Sequence, residues 1–276
     1  MAEVRGRVPP TDEFGGRVAL VTGAGRGLGR ASALRLHRGG AAVACLDRDG
    51  AAVEQVVAAI RGDGGTALAL AADASVSGEV AGALAEVRRV LGPVGLVHAN
   101  AGIQRYGDAL TTPEALWDEV MTVNVKSAFL TVQAALPDLL AAGDGAVVLT
   151  ASAQAFATQR GVVAYTTSKA ALVGLCRALA IDHADQGVRV NCVCPGSVDT
   201  PMLRDAAARF AQESGQETTA ILNAWGRAHP LERLCQPEEV AEVAAFLLSP
   251  RASYITGAAL PVDGGLLARL GVMLPE

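Results

Sequence analysis

The chain has 276 residues, enough for one large or two small domains, and a single α/β sheet of this size buries a full core. Its net charge of −5 comes from 23 basic and 28 acidic residues with no basic block, and aromatics make up only 4%, so neither a phosphate-tracking stripe nor a base-stacking platform for nucleic acid is present. Charged residues, at 18%, fall below the about 25% of an average soluble protein, which points to more buried surface than a monomer needs and hence to an oligomer.

Residues 1–16 are polar, hold Pro9-Pro10 and Gly15-Gly16 and show no periodicity, which predicts a loose N-terminal arm ahead of one domain over 17–276. The stretch Met1 to Arg7 is basic without an apolar run behind it, and no uncharged run reaches the about 18 residues of a membrane span. A cytoplasmic protein with no membrane partner is expected. Val18 to Val21 is a short apolar run, followed by the turn Thr22-Gly23-Ala24-Gly25-Arg26-Gly27-Leu28-Gly29 and a helix-compatible segment to about His37. Glycines between a strand and a helix let the backbone approach a pyrophosphate, with helix N–H groups facing the anion. A plain strand-to-helix loop is the other reading, and the strict G-x-G-x-x-G spacing is broken by Arg30. The second apolar run, Ala42 to Leu46, ends at Asp47, 18 residues after Gly29, where a dinucleotide fold reads the adenosine ribose. A carboxylate there accepts from both ribose hydroxyls and repels a 2′-phosphate, favouring NAD over NADP. Arg26 and Arg48 argue the other way, since either guanidinium can pair with a phosphate.

A helix over 51–61, a strand over 67–71 ending near Asp73, a helix over 76–90 and a strand over 94–97 follow, the last leading to Asn100-Ala101-Gly102. Thr112-Pro113-Glu114 starts a helix that runs through Asn124 to about Leu140. A strand over 146–150 precedes Ser152, and the apolar-rich run 162–180, free of proline, reads as a helix carrying Tyr165 and Lys169. Side chains four apart share a helical face, so the ammonium is expected near the phenol, favouring its ionised form and making Tyr165 a general acid/base. Ser152, 13 residues upstream, brings a hydroxyl to the same place. Alone, the Tyr-Lys pair reads equally as two residues of an amphipathic helix. In the strand over 188–193, Cys192 and Cys194 share a face and read as packing rather than a metal site, and no metal site is expected. The four histidines, His37, His98, His183 and His229, have no metal spacing and receive no role. The chain closes with the loop Cys194 to Met202, a weakly helical stretch over 203–229, a proline-started helix over 236–249 and a terminal strand near 258–265.

Ser152, Tyr165 and Lys169 in this spacing resemble the catalytic core of the short-chain dehydrogenase/reductase family, and the likeness extends over about residues 17–265. The family's T-G-x-x-x-G-x-G pattern is met by Thr22, Gly23, Gly27 and Gly29, with Arg26 and Leu28 inside it. The resemblance implies that Asp73 approaches the adenine, that Asn100 and Gly102 let the chain pass close to the cofactor, and that Lys169 binds the nicotinamide ribose. It further implies that Pro195, Gly196, Val198 and Thr200 lie over the nicotinamide. Asn124 matches the active-site asparagine whose backbone carbonyl, exposed by a local helix distortion, holds a water leading to the lysine. Residues 203–229 match the substrate lid. About seven strands alternating with six or more helices imply one α/β domain, a doubly wound parallel sheet of Rossmann type.

The implied activity is NAD-dependent interconversion of a secondary alcohol and a ketone. In the family the helices carrying Asn124 and Tyr165 pair with symmetry mates, and Ala128, Phe129, Val132 and Ala135 on one and Leu172, Leu175 and Leu179 on the other are apolar beyond one stripe, so a homotetramer is expected. By position, Gln104, Ser152, Gln154, Phe156, Val162, Tyr165, Ser197, Met202 and, from the lid, Trp225 line the substrate pocket. None is cationic, which suits a neutral small to medium alicyclic or hydroxylated substrate, with Arg160 and Arg204 left at the rim. Gln104 and Gln154 read equally well as satisfying local backbone groups. Two alternatives remain: an NADPH-dependent 3-oxoacyl thioester reductase, and a non-catalytic nucleotide-binding protein of the same fold.

Overall fold

The computed structural model describes residues 12–269. Seven strands form one sheet: β1 (Val18–Thr22), β2 (Ala42–Asp47), β3 (Ala67–Ala71), β4 (Val94–Ala99), β5 (Ala146–Thr150), β6 (Arg189–Pro195) and β7 (Ala259–Val262). All neighbours are parallel and the order is β3-β2-β1-β4-β5-β6-β7. The helices are α1 (Gly27–Arg38), α2 (Gly50–Gly62), α3 (Ser77–Val90), α4 (Glu114–Met121), α5 (Ser127–Ala142), α6 (Val163–His183), α7 (Pro201–Ser214), α8 (Thr218–Arg227) and α9 (Pro237–Leu248).

The strands read as continuous aliphatic runs because both of their faces are covered. Alternate residues enter two cores: Leu20, Leu46, Val97 and Val147 pack under α3, α5 and α6, while Val21, Cys45, Leu96 and Val148 pack under α1, α2 and α9. Cys192 and Cys194 sit in the first core, where the strand alternation sends both to one side. Between β1 and β4 the strand order reverses, and this is where a doubly wound sheet opens a crevice at its carboxyl ends.

Two boundaries differ from expectation. Of the loose arm expected over residues 1–16, residues 1–11 lie outside the described ones, and residues 12–16 form a turn anchored by Glu13 and Phe14. Phe14 is buried, its N–H donates to Gly39 O at 2.6 Å, and Glu13 pairs with Arg35 and Arg251, each at 2.8 Å. A lone aromatic among charges gives no periodic signal, yet burying it and pairing Glu13 tie this turn to α1 and to the segment after α9. The single helix expected from Thr112 to Leu140 is instead α4 and α5 joined by a five-residue π-helical segment, Thr122–Lys126, that contains Asn124.

Candidate active site

The nucleotide side of the crevice is made largely of backbone. Gly23 has φ +64° and Gly27 φ +53°, values that side chains strain to adopt. A Cβ on Gly29 would overlap the Gly23 carbonyl oxygen, and one on Gly23 would stand 3.0 Å from Ala101 Cα, so strand, turn and helix close on one another at hydrogen-only positions. Helix α1 has no side-chain cap and no acid in its first turn, leaving its first N–H groups available to an anion. Thr22 Oγ1 accepts from Asn100 N at 3.0 Å and Ala101 N at 3.2 Å, which ties the ends of β1 and β4 together. From the other side, Thr200 Cγ2 lies 3.3 Å from where a Gly27 Cβ would be, so the loop after β6 closes over the turn.

Asp47 ends β2 with one oxygen accepting from Gly25 N at 2.9 Å and the other from Asp49 N at 3.0 Å. Arg26 and Arg48 are exposed and make no ion pair with a described residue. Asp73 lines the crevice and also accepts from Ser75 N at 2.8 Å and Ser75 Oγ at 2.7 Å, bonds that hold its carboxyl below the usual range. Ligand contact and local capping are therefore both open to it.

On the substrate side, Ser152 leaves β5 in an extended conformation and its Oγ accepts from Gln154 N at 3.1 Å. Tyr165 and Lys169 stand one turn apart on α6. Lys169 Nζ donates to Thr150 O at 2.8 Å and lies 5.5 Å from the centroid of the Tyr165 ring. Tyr165 keeps some exposed area at the floor of the crevice but is closely surrounded by protein. Burial pushes its phenol up to about 12, against a downward pull from the Ser152 hydroxyl, and pushes the Lys169 ammonium down to about 8. This corrects the expectation that Lys169 favours the ionised phenol. Shared helical spacing brings the two together as expected, but both are desolvated, and burial is the largest influence on each, disfavouring both charged forms.

Asn124 is fully buried, and its side chain is committed. Nδ2 donates to Ile103 O and Ser168 Oγ, both at 2.9 Å, and Oδ1 accepts from Ile103 N at 2.7 Å. The side chain thereby fixes the loop after β4 against α6 beside Lys169. The distortion expected at Asn124 is present as the π-helical segment, whose Val123, with Ser127 beyond it, lines the crevice.

Gly23, Arg26, Gly27, Leu28, Asp47, Asp73, Asn100, Gly102, Ser152, Tyr165, Lys169, Pro195, Gly196, Val198 and Thr200 all line one crevice, together with Gln104 and Met202. Its empty volume, open mouth included, is about 1390 Å³. Gly29 stands just beneath the turn. Gln154, Phe156, Val162, Ser197 and Trp225, all expected at the substrate, are not in this lining. Gln154 Oε1 accepts from Thr166 Oγ1 at 3.3 Å, the local satisfaction that was its other reading. Trp225 stands behind Phe210, edge to face with centroids 5.9 Å apart. Arg204 is held by Asp199 at 2.7 Å.

Two histidines given no role from sequence hold the site's frame. His229 accepts from Ser197 N at 3.1 Å through Nε2 and donates to Trp225 O at 2.9 Å through Nδ1, joining the loop after β6 to the end of α8. His98, pushed down to about 4 by burial, bonds Thr150 Oγ1 at 2.9 Å, and Thr150 donates on to Asn100 Oδ1 at 3.1 Å. Tyr106, also missed, has its ring against Phe210. Contacts between residues so distant in sequence leave no local pattern; an aromatic just after Asn100-Ala101-Gly102 was the one available signal.

A family model described as enoyl-(acyl carrier protein) reductase matches residues 23–267. The chain is 41% identical over 234 residues to a protein of Xanthobacter autotrophicus named inactive 2-(S)-hydroxypropyl-CoM dehydrogenase 2, covering 84% of this chain and 97% of that one. It is 36% identical over 262 residues to cyclohexanol dehydrogenase of Acinetobacter sp., covering 94% and 98%. The structure of L-sorbose reductase from Gluconobacter frateurii, complexed with NADPH and L-sorbose, superposes with a TM-score of 0.89 at 28% identity over 94% of this chain and 100% of that one.

Proposed function

The chain belongs to the short-chain dehydrogenase/reductase family and is an oxidoreductase acting on CH–OH groups, and from that premise we propose that it uses NAD to interconvert a neutral secondary alcohol and its ketone. The observation that carries this is the convergence of Ser152, Tyr165 and Lys169 on the same crevice as the glycine turn and Asp47.

The residues present fit a dinucleotide: a turn at which a Cβ would collide, an uncapped helix start behind it, and a carboxylate at the end of β2. Gly23, Gly27 and Gly29 would cradle the pyrophosphate, Asp47 the adenosine ribose, Asp73 the adenine, Lys169 the nicotinamide ribose, and Pro195, Gly196, Val198 and Thr200 the nicotinamide. When bound, the cofactor supplies the hydride acceptor or donor. The Ser152 hydroxyl orients the substrate oxygen. Tyr165 holds its proton firmly at neutral pH, which makes it a ready acid for ketone reduction and, in the other direction, a base that must first lose that proton. Lys169, with its ammonium disfavoured by burial, is poised to exchange a proton near the Thr150 carbonyl. Asn124 positions this group through Ser168 and Ile103.

Beyond Ser152 and Tyr165, the substrate end is lined by Ile103, Gln104, Met202 and Leu203, with no charged side chain, which supports a neutral alicyclic or hydroxylated substrate of small to medium size. The cyclohexanol and sorbose enzymes among the relatives support the same class. The description of the matched family model favours a second reading, reduction of an acyl thioester, and the relative named inactive favours a third, nucleotide binding without catalysis. A panel of neutral cyclic alcohols, diols, sugars, steroids, β-ketoacyl thioesters and enoyl thioesters, each with NAD(H) and NADP(H), separates the three. The proposal expects the best turnover with NAD and a neutral ring alcohol; thioesters outperforming every neutral substrate, or no turnover at all, would overturn it.

No helix among the described residues is long and apolar enough to cross a membrane. A homotetramer is retained from the family's helix pairing, on changed grounds. Ala128, Val132, Ala135, Leu172 and Leu179 are spent on the core, Leu175 is half-buried against it, and Phe129 is the outward apolar residue left of that set.

A further inference from the structure

The main-chain ladder between β4 and β5 ends at Ala99 and Leu149, and the one between β1 and β4 ends at Val21 and His98. Asn100 and Thr150, next along, line the crevice and are joined by side chains instead. What each atom can donate fixes the direction of these bonds. Asn100 Nδ2 faces two main-chain oxygens, of Thr22 at 3.2 Å and of Gly23 at 3.4 Å, which can only accept. Asn100 Oδ1 is therefore an acceptor, and Thr150 Oγ1 donates to it at 3.1 Å. With its one proton used there, Thr150 Oγ1 accepts from His98 Nε2 at 2.9 Å. The proton of His98 thus sits on Nε2 and leaves Nδ1 bare. Nδ1 is also the atom of His98 that is buried without a partner among the described residues.

A second proton on His98 would place a donor on Nδ1 with nothing to accept it, and burial pushes its pKa down to about 4, so the chain keeps its direction at neutral pH. Both ends of the chain bear on function. The Asn100 amide lies against the glycine turn, where a Cβ on Gly29 would stand 2.8 Å from Nδ2. The Thr150 carbonyl holds Lys169 Nζ at 2.8 Å. Packing alone does not account for the histidine. Its neighbours on β4 are Val94, Leu96 and Val97, and another aliphatic side chain would fill the same space without burying a bare nitrogen.

We propose that His98 is a positioning residue whose Nε2–H starts a one-way chain through Thr150 and Asn100, fixing together the turn that cradles the cofactor and the carbonyl that anchors Lys169. The chain thereby couples the two halves of the crevice. This rests on the reading of the crevice as a dinucleotide and secondary-alcohol site.

The test measures Kd for NADH by fluorescence titration and kcat with the best secondary alcohol, in wild type, His98→Leu, His98→Gln, Thr150→Val and the His98→Leu/Thr150→Val double variant. His98→Leu should raise Kd and lower kcat by at least about threefold each, the size of one hydrogen bond. Thr150→Val, of like shape, breaks both links of the chain and should do at least as much, which keeps the test open should His98→Leu fail to fold. A glutamine amide can donate from where Nε2 stands, so His98→Gln should stay within about twofold of wild type, a rescue that lost packing would not show. The double variant should lose less than the product of the single losses, because both residues act through one chain. Smaller changes in Kd or in kcat in the single variants, a glutamine variant as impaired as His98→Leu, or losses that multiply would each overturn the role of His98 while the reading of the crevice stands. Wild type that neither binds NADH nor turns over any secondary alcohol overturns that reading, and the role of His98 with it. Should wild type bind NADH without turnover, the alcohol reading falls and Kd alone decides the role of His98.

Discussion

The two sides of the crevice are built by different means. Around the glycine turn the ligand-facing groups are main-chain N–H groups and positions where nothing larger than hydrogen fits, held by β1, α1 and the segment after β4, with Thr200 of the loop after β6 against the turn. On the substrate side the working groups are side chains from β5, α6, the π-helical segment and α7, brought together from positions up to 100 residues apart. Backbone geometry tolerates almost no substitution but needs no partner to be correct, whereas the side-chain half depends on burial and on neighbours. Perturbing each half should therefore fail in a different way.

The largest effect should come from the side-chain half. Tyr165→Phe keeps the ring against Lys169 and removes only the proton-transfer hydroxyl, so turnover should fall about 10²- to 10⁴-fold while cofactor affinity, read by fluorescence titration, stays nearly intact. A variant retaining more than about a tenth of wild-type activity would falsify the assignment. The backbone half should fail in the opposite order. A Cβ at Gly29 overlaps the Gly23 carbonyl oxygen, so Gly29→Ala must displace the turn, lowering Tm and weakening cofactor binding by more than about tenfold. If Gly29→Ala bound cofactor as wild type does, the turn would not be the cradle described.

What could be read from the sequence follows the same division. The strands were legible because both faces are buried, and the glycine turn because backbone constraints write themselves locally. Ser152, Tyr165 and Lys169 were found because they sit at short spacings. The charge states of Tyr165 and Lys169 were not legible: spacing shows that two groups meet, but desolvation depends on everything packed around them. Trp225 was expected in the pocket because the lid was, and only the packing of α7 against Tyr106 shows Phe210 standing in front of it. Phe14 and His229 acquire their roles entirely from partners distant in the chain.

Lys169 supplies a smaller and signed test of that burial. Its folded pKa, about 8, lies below the about 10.4 of an exposed lysine, so between those values the unfolded chain holds the proton that the folded one has released. Stability then rises with pH across that window, by at most about 1.4 kcal/mol per pH unit. Tyr165 acts with the opposite sign: its folded pKa of about 12 exceeds the unfolded value near 10, so stability falls from about pH 10 upward. The buried thiols of Cys45 and Cys194, pushed up to about 12, share the sign of Tyr165 above about pH 8.5 in every variant, so urea unfolding at pH 7.5, 8.5 and 9.5 should show wild type gaining stability relative to Lys169→Met as pH rises. Parallel profiles would mean that Lys169 is not desolvated in the folded chain.

The smallest expected effect crosses the comparison, because it asks one side chain to decide an outcome within the backbone half. Asp47 already accepts one hydrogen bond per oxygen, from Gly25 and Asp49, which fixes the carboxylate at the end of β2 while leaving lone pairs for ribose hydroxyls. A 2′-phosphate arriving there meets a like charge that cannot rotate away. Arg26 and Arg48 are exposed and pay the full entropy of ordering if they are to bind it instead. We therefore expect NAD over NADP by at least about tenfold in kcat/KM, or about 1.4 kcal/mol, and expect Asp47→Ser to erode that preference, with the Gly25 and Asp49 bonds partly kept by the serine hydroxyl. Should wild type prefer NADP, the mobile arginines outweigh the fixed carboxylate, and cofactor choice belongs to exposed side chains rather than to the rigid end of β2.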